Sequence, residues 1–283
     1  MGTLANKIDF AVVLSVTKAN PNGDPLNGNR PRQNYDGYGE ISDVALKRKI
    51  RNRLQDMGEA IFVQSNDRKS DSYSSLRERA DANPELGKML KAKTRDNDEF
   101  ARVACREWLD VRSFGQVFAF KSGNVSVGVR GPVSVRTATS IDPIDITSMQ
   151  ITKSVNSEPG AARGSDTMGM KHRVDTGVYI FCGSMNPQLA EKTGFTDEDA
   201  ERFKQALVSL FENDTSSARP EGSMEVHTVY WWTHNSKLGQ YSSAKVHRSL
   251  TFERLVEEAK HFEDYKFVVQ PLEGLNVEII DGQ

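Results

Sequence analysis

A fifteen-residue stretch from Asn20 to Asn34, NPNGDPLNGNRPRQN, holds the residue types best suited to gripping an anion. Its Asn, Gly and Pro residues make a backbone poor in side chains that can approach a ligand closely and present N–H groups. Arg30 and Arg32 bring fixed positive charge for phosphate oxygens, and Asn20, Asn22, Gly23, Asn27 and Asn29 are the candidate positions of close approach. A second group of bases follows: Lys47, Arg48, Lys49, Arg51 and Arg53. Far downstream, Lys171 and Arg173 flank His172, which suits a phosphate contact and general-base work equally. Asp24 lies in an Asp-Pro pair, which is common turn chemistry. On local chemistry alone the loop is either a phosphate cradle or a long connection built from turn residues.

Other chemistries lack their signatures. The motifs G-x-x-x-x-G-K-[ST], G-x-G-x-x-G, H-E-x-x-H and G-x-S-x-G are missing, which removes the commonest patterns for nucleotide hydrolysis, dinucleotide binding, zinc proteolysis and acyl transfer. His227, His234, His247 and His261 are scattered, and His227, in a strand-like run, reads as a packed histidine. Asp142 and Asp145 flank Pro143-Ile144 and read as turn-forming carboxylates. Cys105 and Cys182 have no metal-ligand spacing, so free thiols are expected. No catalytic residue, metal or cofactor is expected. The net charge of −2 hides a segregation: Arg30 to Arg53 carries seven bases against three acids, and Glu253 to Asp281 carries eight acids against three bases. Such a chain could bind a polyanion with one face and stack head to tail on its own copies. An unevenly charged solvated surface fits the same counts.

These residues need elements to hold them. Ile8 to Thr17 alternates Ile8, Phe10, Val12, Leu14 and Val16 on one face with smaller residues on the other, which predicts an inner strand. Ser42 caps a helix running to Met57, with Leu46, Ile50, Leu54 and Met57 facing the core and Gly58 closing it. Thr196 to Asp199 resembles a capping box and leads a helix whose stripe is Ala200, Phe203, Leu207, Leu210 and Phe211. Strands are predicted at Val125 to Val129, Val174 to Cys182, Met224 to Trp232 and Lys266 to Val269, and a helix from Thr251 to Phe262. The fold class is therefore α+β, beginning as a ferredoxin-like βαββαβ domain. Two segments exceed that plan: a polar, weakly helical insertion from Ser65 to Phe100, short of core residues, and a Gly- and Ser-rich arm from Thr147 to Arg173. No apolar run approaches the ~20 residues of a membrane span, and no signal-peptide core is seen, so a cytoplasmic location is expected.

The order of these segments has a counterpart. Asn20-Pro21-Asn22-Gly23-Asp24-Pro25 followed by Gly28-Asn29-Arg30-Pro31-Arg32 resembles the opening signature of the Csd/Csh-type backbone subunits of type I CRISPR Cascade complexes, members of the RAMP superfamily. Ser42 to Arg51, Asp110-Val111-Arg112-Ser113-Phe114-Gly115, Gly131-Pro132-Val133 and Lys171 to Tyr179 resemble its later blocks. The likeness covers nearly the whole chain and looks closest to the type I-C branch. It implies a right-hand shape: a ferredoxin-like (RRM-like) palm over 1–64, 101–146 and 174–283, a finger insertion over 65–100 and a thumb β-hairpin over 147–173. In such a family many copies form a helical filament along one CRISPR guide RNA (crRNA), within an antiviral complex that targets DNA. The implied partners are the guide RNA, the target DNA strand paired to it, further copies of the chain and other Cascade subunits, with no membrane.

A holder of this kind should meet phosphates with cations and leave base edges free for pairing. Met149, Met168 and Met170 in the thumb are candidate wedges between bases, or apolar packing against the next copy. The palm lacks the aromatic signature of ordinary RRMs, so stacking on its sheet is not expected. Two other classes fit the same residues. One is a metal-dependent ribonuclease using Asp24, as in type III backbone subunits, which cleavage of complementary RNA abolished by Asp24→Ala would favour. The other is a structural filament that forms without RNA and survives ribonuclease.

Overall fold

The structure, a computed structural model, describes residues 2–92, 96–120, 125–152 and 168–283. The chain runs through β1 (Ile8–Ala19), the short pair β2 (Gly23–Asp24) and β3 (Arg30–Pro31), β4 (Tyr38–Ile41) and α1 (Asp43–Asp56). Then come α2 (Leu76–Ala82), α3 (Pro84–Lys91), α4 (Asn97–Glu107), α5 (Leu109–Phe114), β5 (Gly115–Phe120), β6 (Val125–Arg130), β7 (Val133–Val135), β8 (Ala138–Pro143) and β9 (Ile146–Thr152). The long β10 (Met168–Met185) is followed by α6 (Pro187–Thr193), α7 (Asp197–Val208), β11 (Met224–Thr233), α8 (Ser243–Ser249), β12 (Leu250–Arg254), β13 (Tyr265–Val269) and β14 (Val277–Asp281).

An antiparallel sheet in the order β14-β11-β1-β10-β8-β4, with β7 and β9 also pairing β10, organises the molecule. β1 lies inside it, as its pattern predicts. Ile8, Phe10, Val12, Leu14 and Val16 enter one core and Ala11 and Val13 the core on the opposite face. Leu46, Ile50 and Leu54 of α1 and Ala200, Phe203 and Leu207 of α7 fill the first core. Ser42 Oγ accepts from Ala45 N at 3.3 Å at the start of α1, and the Thr196–Asp199 capping box starts α7. Both helices therefore pack on one face because each has one apolar stripe to bury.

The opposite face is covered by the C-terminal segment, and here the sequence reading is corrected. The helix expected from Thr251 to Phe262 is instead strand β12, a turn, and a short 3-10 turn at Phe262–Asp264. β12 pairs antiparallel with β13, setting Phe252 opposite Phe267. The period of two at Leu250 and Phe252, with a partner strand at hand, prevails over a weaker helical spacing. The short α8, which no sequence pattern marks, buries Val246 against the same core. A third core differs from expectation too. Leu86, Leu90 and Phe100, inside the segment read as poor in core residues, pack with Phe62, Trp108, Phe118 and Val127 from outside it. Among the described residues no helix is long and apolar enough to cross a membrane.

Candidate nucleic-acid interface

The Asn20–Asn34 loop is a framed structure. β2 and β3 pair Gly23 with Pro31 and Asp24 with Arg30, and a 3-10 turn at Pro25–Asn27 forms the tip. Asp24 Oδ1 accepts from Leu26 N at 3.2 Å and lies 3.4 Å from the Arg32 guanidinium. Gly28 and Asn29 both turn through the left-handed region, at φ 58° and 61°, which glycine and asparagine tolerate best. Asn20 is buried and donates from Nδ2 to Asn29 O at 2.7 Å. Asn22 Oδ1 accepts from Ser42 N at 2.9 Å, which ties the loop to the start of α1. A β-carbon at Gly23 would lie 2.9 Å from the backbone oxygen of Asn29 as well as 2.0 Å from its Oδ1, so the frame itself requires glycine there. Asn20, Asn22, Gly23 and Asn29 thus build the loop, while Asn27 stands exposed at its tip.

The loop docks against the β9–β10 stem of the expected thumb. This ladder pairs Ile146 with Val174 through Thr152 with Met168; the residues between, 153–167, lie outside those described. Arg30 donates from its guanidinium to Ser148 Oγ at 2.6 Å, and Ser148 Oγ lies 2.8 Å from His172 Nδ1. Arginine can only donate, so the serine oxygen accepts from it; the same hydroxyl can either give its hydrogen to Nδ1 or accept from Nδ1–H, according to the histidine tautomer. His172 Nε2 lies 4.0 Å from where a β-carbon of Gly28 would be. Loop and stem are therefore joined by a chain of polar side chains at an exposed surface.

Strand alternation divides the other thumb candidates. Met168, Met170 and His172 share one face of β10, and Lys171 and Arg173 take the other, where Lys171 is opposite Met149. The three methionines cannot act as one wedge: Met149 is half-buried on one side, and Met168 and Met170 are exposed on the other. Arg173 lies 3.5 Å from Asp175. Ser148, which links the cluster, had no signal in the sequence beyond being a serine in a strand.

The five bases of α1 have internal partners. Lys49, only 5% exposed, is ion-paired with Asp214 and lies 5.4 Å from the centre of the Phe211 ring; burial pulls its ammonium down to about 8. Arg51 donates to Asp110 at 2.9 Å, and Arg53 to Ser209 Oγ at 2.8 Å. Arg48 donates to Val63 O at 2.6 Å, and its burial lowers its pKa. Lys47 pairs with Asp43 at 3.0 Å. A helix set between a sheet and an inserted subdomain turns most of its circumference inward, so bases spread around it fasten neighbours instead of forming one open patch. Of the bases singled out from sequence, those of the loop and stem are the ones brought together at a surface.

Comparison with known proteins agrees with this architecture. The family model described as CRISPR-associated protein Cas7 matches residues 6–270. A curated protein of Haloferax volcanii named CRISPR-associated protein Cas7 is 28% identical over 233 residues, covering 76% of this chain and 67% of its own. In fold, the chain is similar to one from a structure titled CRISPR RNA-guided surveillance complex, pre-nicking, with a TM-score of 0.52 and 16% identity, over 80% of this chain and 78% of the other. With the match running from β1 through the loop and every strand of the sheet but β14, and on to β13, this chain belongs to the Cas7 family of CRISPR-associated proteins.

Proposed function

We propose that the chain is a backbone subunit that holds a CRISPR guide RNA by its phosphates and stacks head to tail with further copies in a DNA-targeting surveillance complex. The observation that carries this reading is membership of the Cas7 family over residues 6–270, with the loop and stem supplying the cations. The Arg30, Ser148 and His172 chain joins two of the segments whose motifs resemble the type I backbone subunits, and we extend the reading to the type I-C branch on that resemblance. We read β1, α1, β8, β10, α7 and β11 as a ferredoxin-like palm, supported by the spatial order β11-β1-β10-β8. Residues 65–100 serve as the finger and 147–173 as the thumb. The target DNA strand pairs with guide bases left free at their edges, and other Cascade subunits are further partners. The expected setting is the cytoplasm.

The role is binding, not catalysis. Asp24, the candidate for a ribonuclease, has its carboxylate engaged in capping the 3-10 turn and facing Arg32, which supports a structural part for it. The test is to purify the chain with the products of its neighbouring genes and sequence the RNA that accompanies it. A repeat-derived RNA of uniform length is expected; random cellular RNA, or none, would refute the proposal.

A further inference from the structure

Among the described residues the most exposed large apolar side chains are Tyr35, at 104% of full exposure, and Leu26, at 98%; the next, Leu238, is at 75%. Scattered exposed apolar residues are ordinary. These two stand on separate turn tips within residues 20–39, the segment that also carries Arg30 and Arg32.

Hydrogen bonds hold both tips. Asn34 Oδ1 accepts from Asp36 N at 3.0 Å and from Tyr38 N at 2.9 Å, and Asn34 N donates to Tyr38 O at 2.9 Å, closing the turn that bears Tyr35. The Gln33 amide donates to Gly37 O at 3.0 Å and to Ile144 O at 2.8 Å, bracing that turn on the corner between β8 and β9. β9 then leads to Ser148, where Arg30 is held. Leu26 follows Asp24, whose carboxylate accepts from its backbone N–H. Neither turn needs a large apolar side chain at its tip, since the asparagine and the aspartate make the turn bonds. Both side chains are presented to water by backbone already ordered, so a ligand meeting them pays little in loop ordering.

We propose that Tyr35 and Leu26 contact the faces of unpaired RNA bases, Tyr35 as a stacking platform and Leu26 as an apolar cap, beside the cations that hold the phosphates. Sites for single-stranded nucleic acid combine these two features: cations track the backbone and flat or apolar side chains meet the bases. Contact with base faces leaves the pairing edges free, as a guide requires. The sheet has no need of an aromatic platform when the loop supplies one. This inference rests on the guide-RNA reading above.

The test uses the full chain and a uridine-rich RNA of about eight nucleotides, within the ~4–16 nucleotides typical of one such module, so that a single subunit is probed. Binding is followed by fluorescence anisotropy over a series of salt concentrations. Tyr35→Ala should weaken binding by about 5- to 150-fold and leave the salt slope unchanged, because stacking releases no counterions. Tyr35→Phe should restore it, Leu26→Ser should weaken it, and ultraviolet irradiation should crosslink RNA to Tyr35. Arg30→Ala should weaken binding and flatten the salt slope. If Tyr35→Ala and Leu26→Ser bind like the wild type while Arg30→Ala is weakened, the base-face contact is wrong and the guide-RNA reading survives. If the wild type binds no RNA, alone or with its neighbouring subunits, the reading beneath falls as well. A defect seen only on long RNA holding several copies would overturn the proposal in favour of a contact between copies.

Discussion

Arg30 crosses from the β2–β3 turn to Ser148, and through it to His172, so these three side chains act as one unit. Groups sharing a hydrogen-bond network are coupled by roughly 0.5–3 kcal/mol. We therefore expect a double-mutant cycle of Arg30→Ala and His172→Ala on RNA affinity to be non-additive, whereas Arg30→Ala with Arg53→Ala, whose guanidinium is held by Ser209, should be additive. Additivity in the first cycle would break the unit. Lys49 shows the other fate of a basic side chain. Its folded pKa, near 8, lies below the ordinary 10.5, so the unfolded chain binds more protons between those values and stability should rise with pH across that window. Lys49→Met removes the buried ammonium while Asp214 keeps Arg219 at 3.3 Å. The variant should stay folded and lose the rise, which urea midpoints at pH 7.5 and pH 10 would reveal.

At the scale of elements, a buried carboxylate of α5 ties that helix to α1 and to the chain at Phe62 and Val63. Asp110 of α5 is fully buried and accepts from Phe62 N at 2.7 Å, Val63 N at 3.1 Å and Arg51 Nε at 2.9 Å. Asp110→Ala would leave two amides and a guanidinium unpaired, at a cost of about 3–5 kcal/mol. Chemical denaturation should report that loss, and Asp110→Ala with unchanged stability would contradict this account of the junction. The β9–β10 stem differs, since only its base is built into the sheet. Replacing residues 153–167 by a short turn, with Lys171, His172 and Arg173 kept, should leave the chain folded and still able to bind a short RNA. The same variant should lose cooperative assembly on long RNA if this arm is the thumb; regularly protected, full-length assemblies would remove that assignment.

For the whole molecule, two half-buried histidines set an acid limit. Desolvation lowers the pKa of His227, which stacks on Phe262 with ring centres 3.9 Å apart, and of His247, which hydrogen-bonds Gly183 O at 3.0 Å. A histidine held neutral in the fold supports stability above its ordinary pKa of 6.5 and loses that support as the pH falls below it, because the unfolded chain takes up the proton first. Thermal midpoints should therefore fall as the pH drops below 6.5. His227→Phe should reduce the drop, while an unchanged slope in both His227→Phe and His247→Asn would point to carboxylates as the cause.

The sequence by itself determined what local chemistry and periodicity can determine. The alternation in β1, the stripes of α1 and α7 with their Ser42 and Thr196 caps, and the turn residues of the 20–34 loop all appear where their patterns set them. Those features depend on neighbours one turn or one strand residue away. The tertiary structure decided what depends on distant partners. It drew Lys49 toward Asp214, 165 residues on, and Arg51 toward Asp110, while it left Arg30 beside Ser148. No spacing rule separates these bases, because each was sorted by the surface its element happened to meet. The segment 250–269 became a paired ribbon for the same reason: Phe252 finds Phe267 only once the chain has turned back. Tyr35 and Leu26 belong to this second class, since a turn motif specifies the bend, and only the packed molecule decides which side chains it leaves in water.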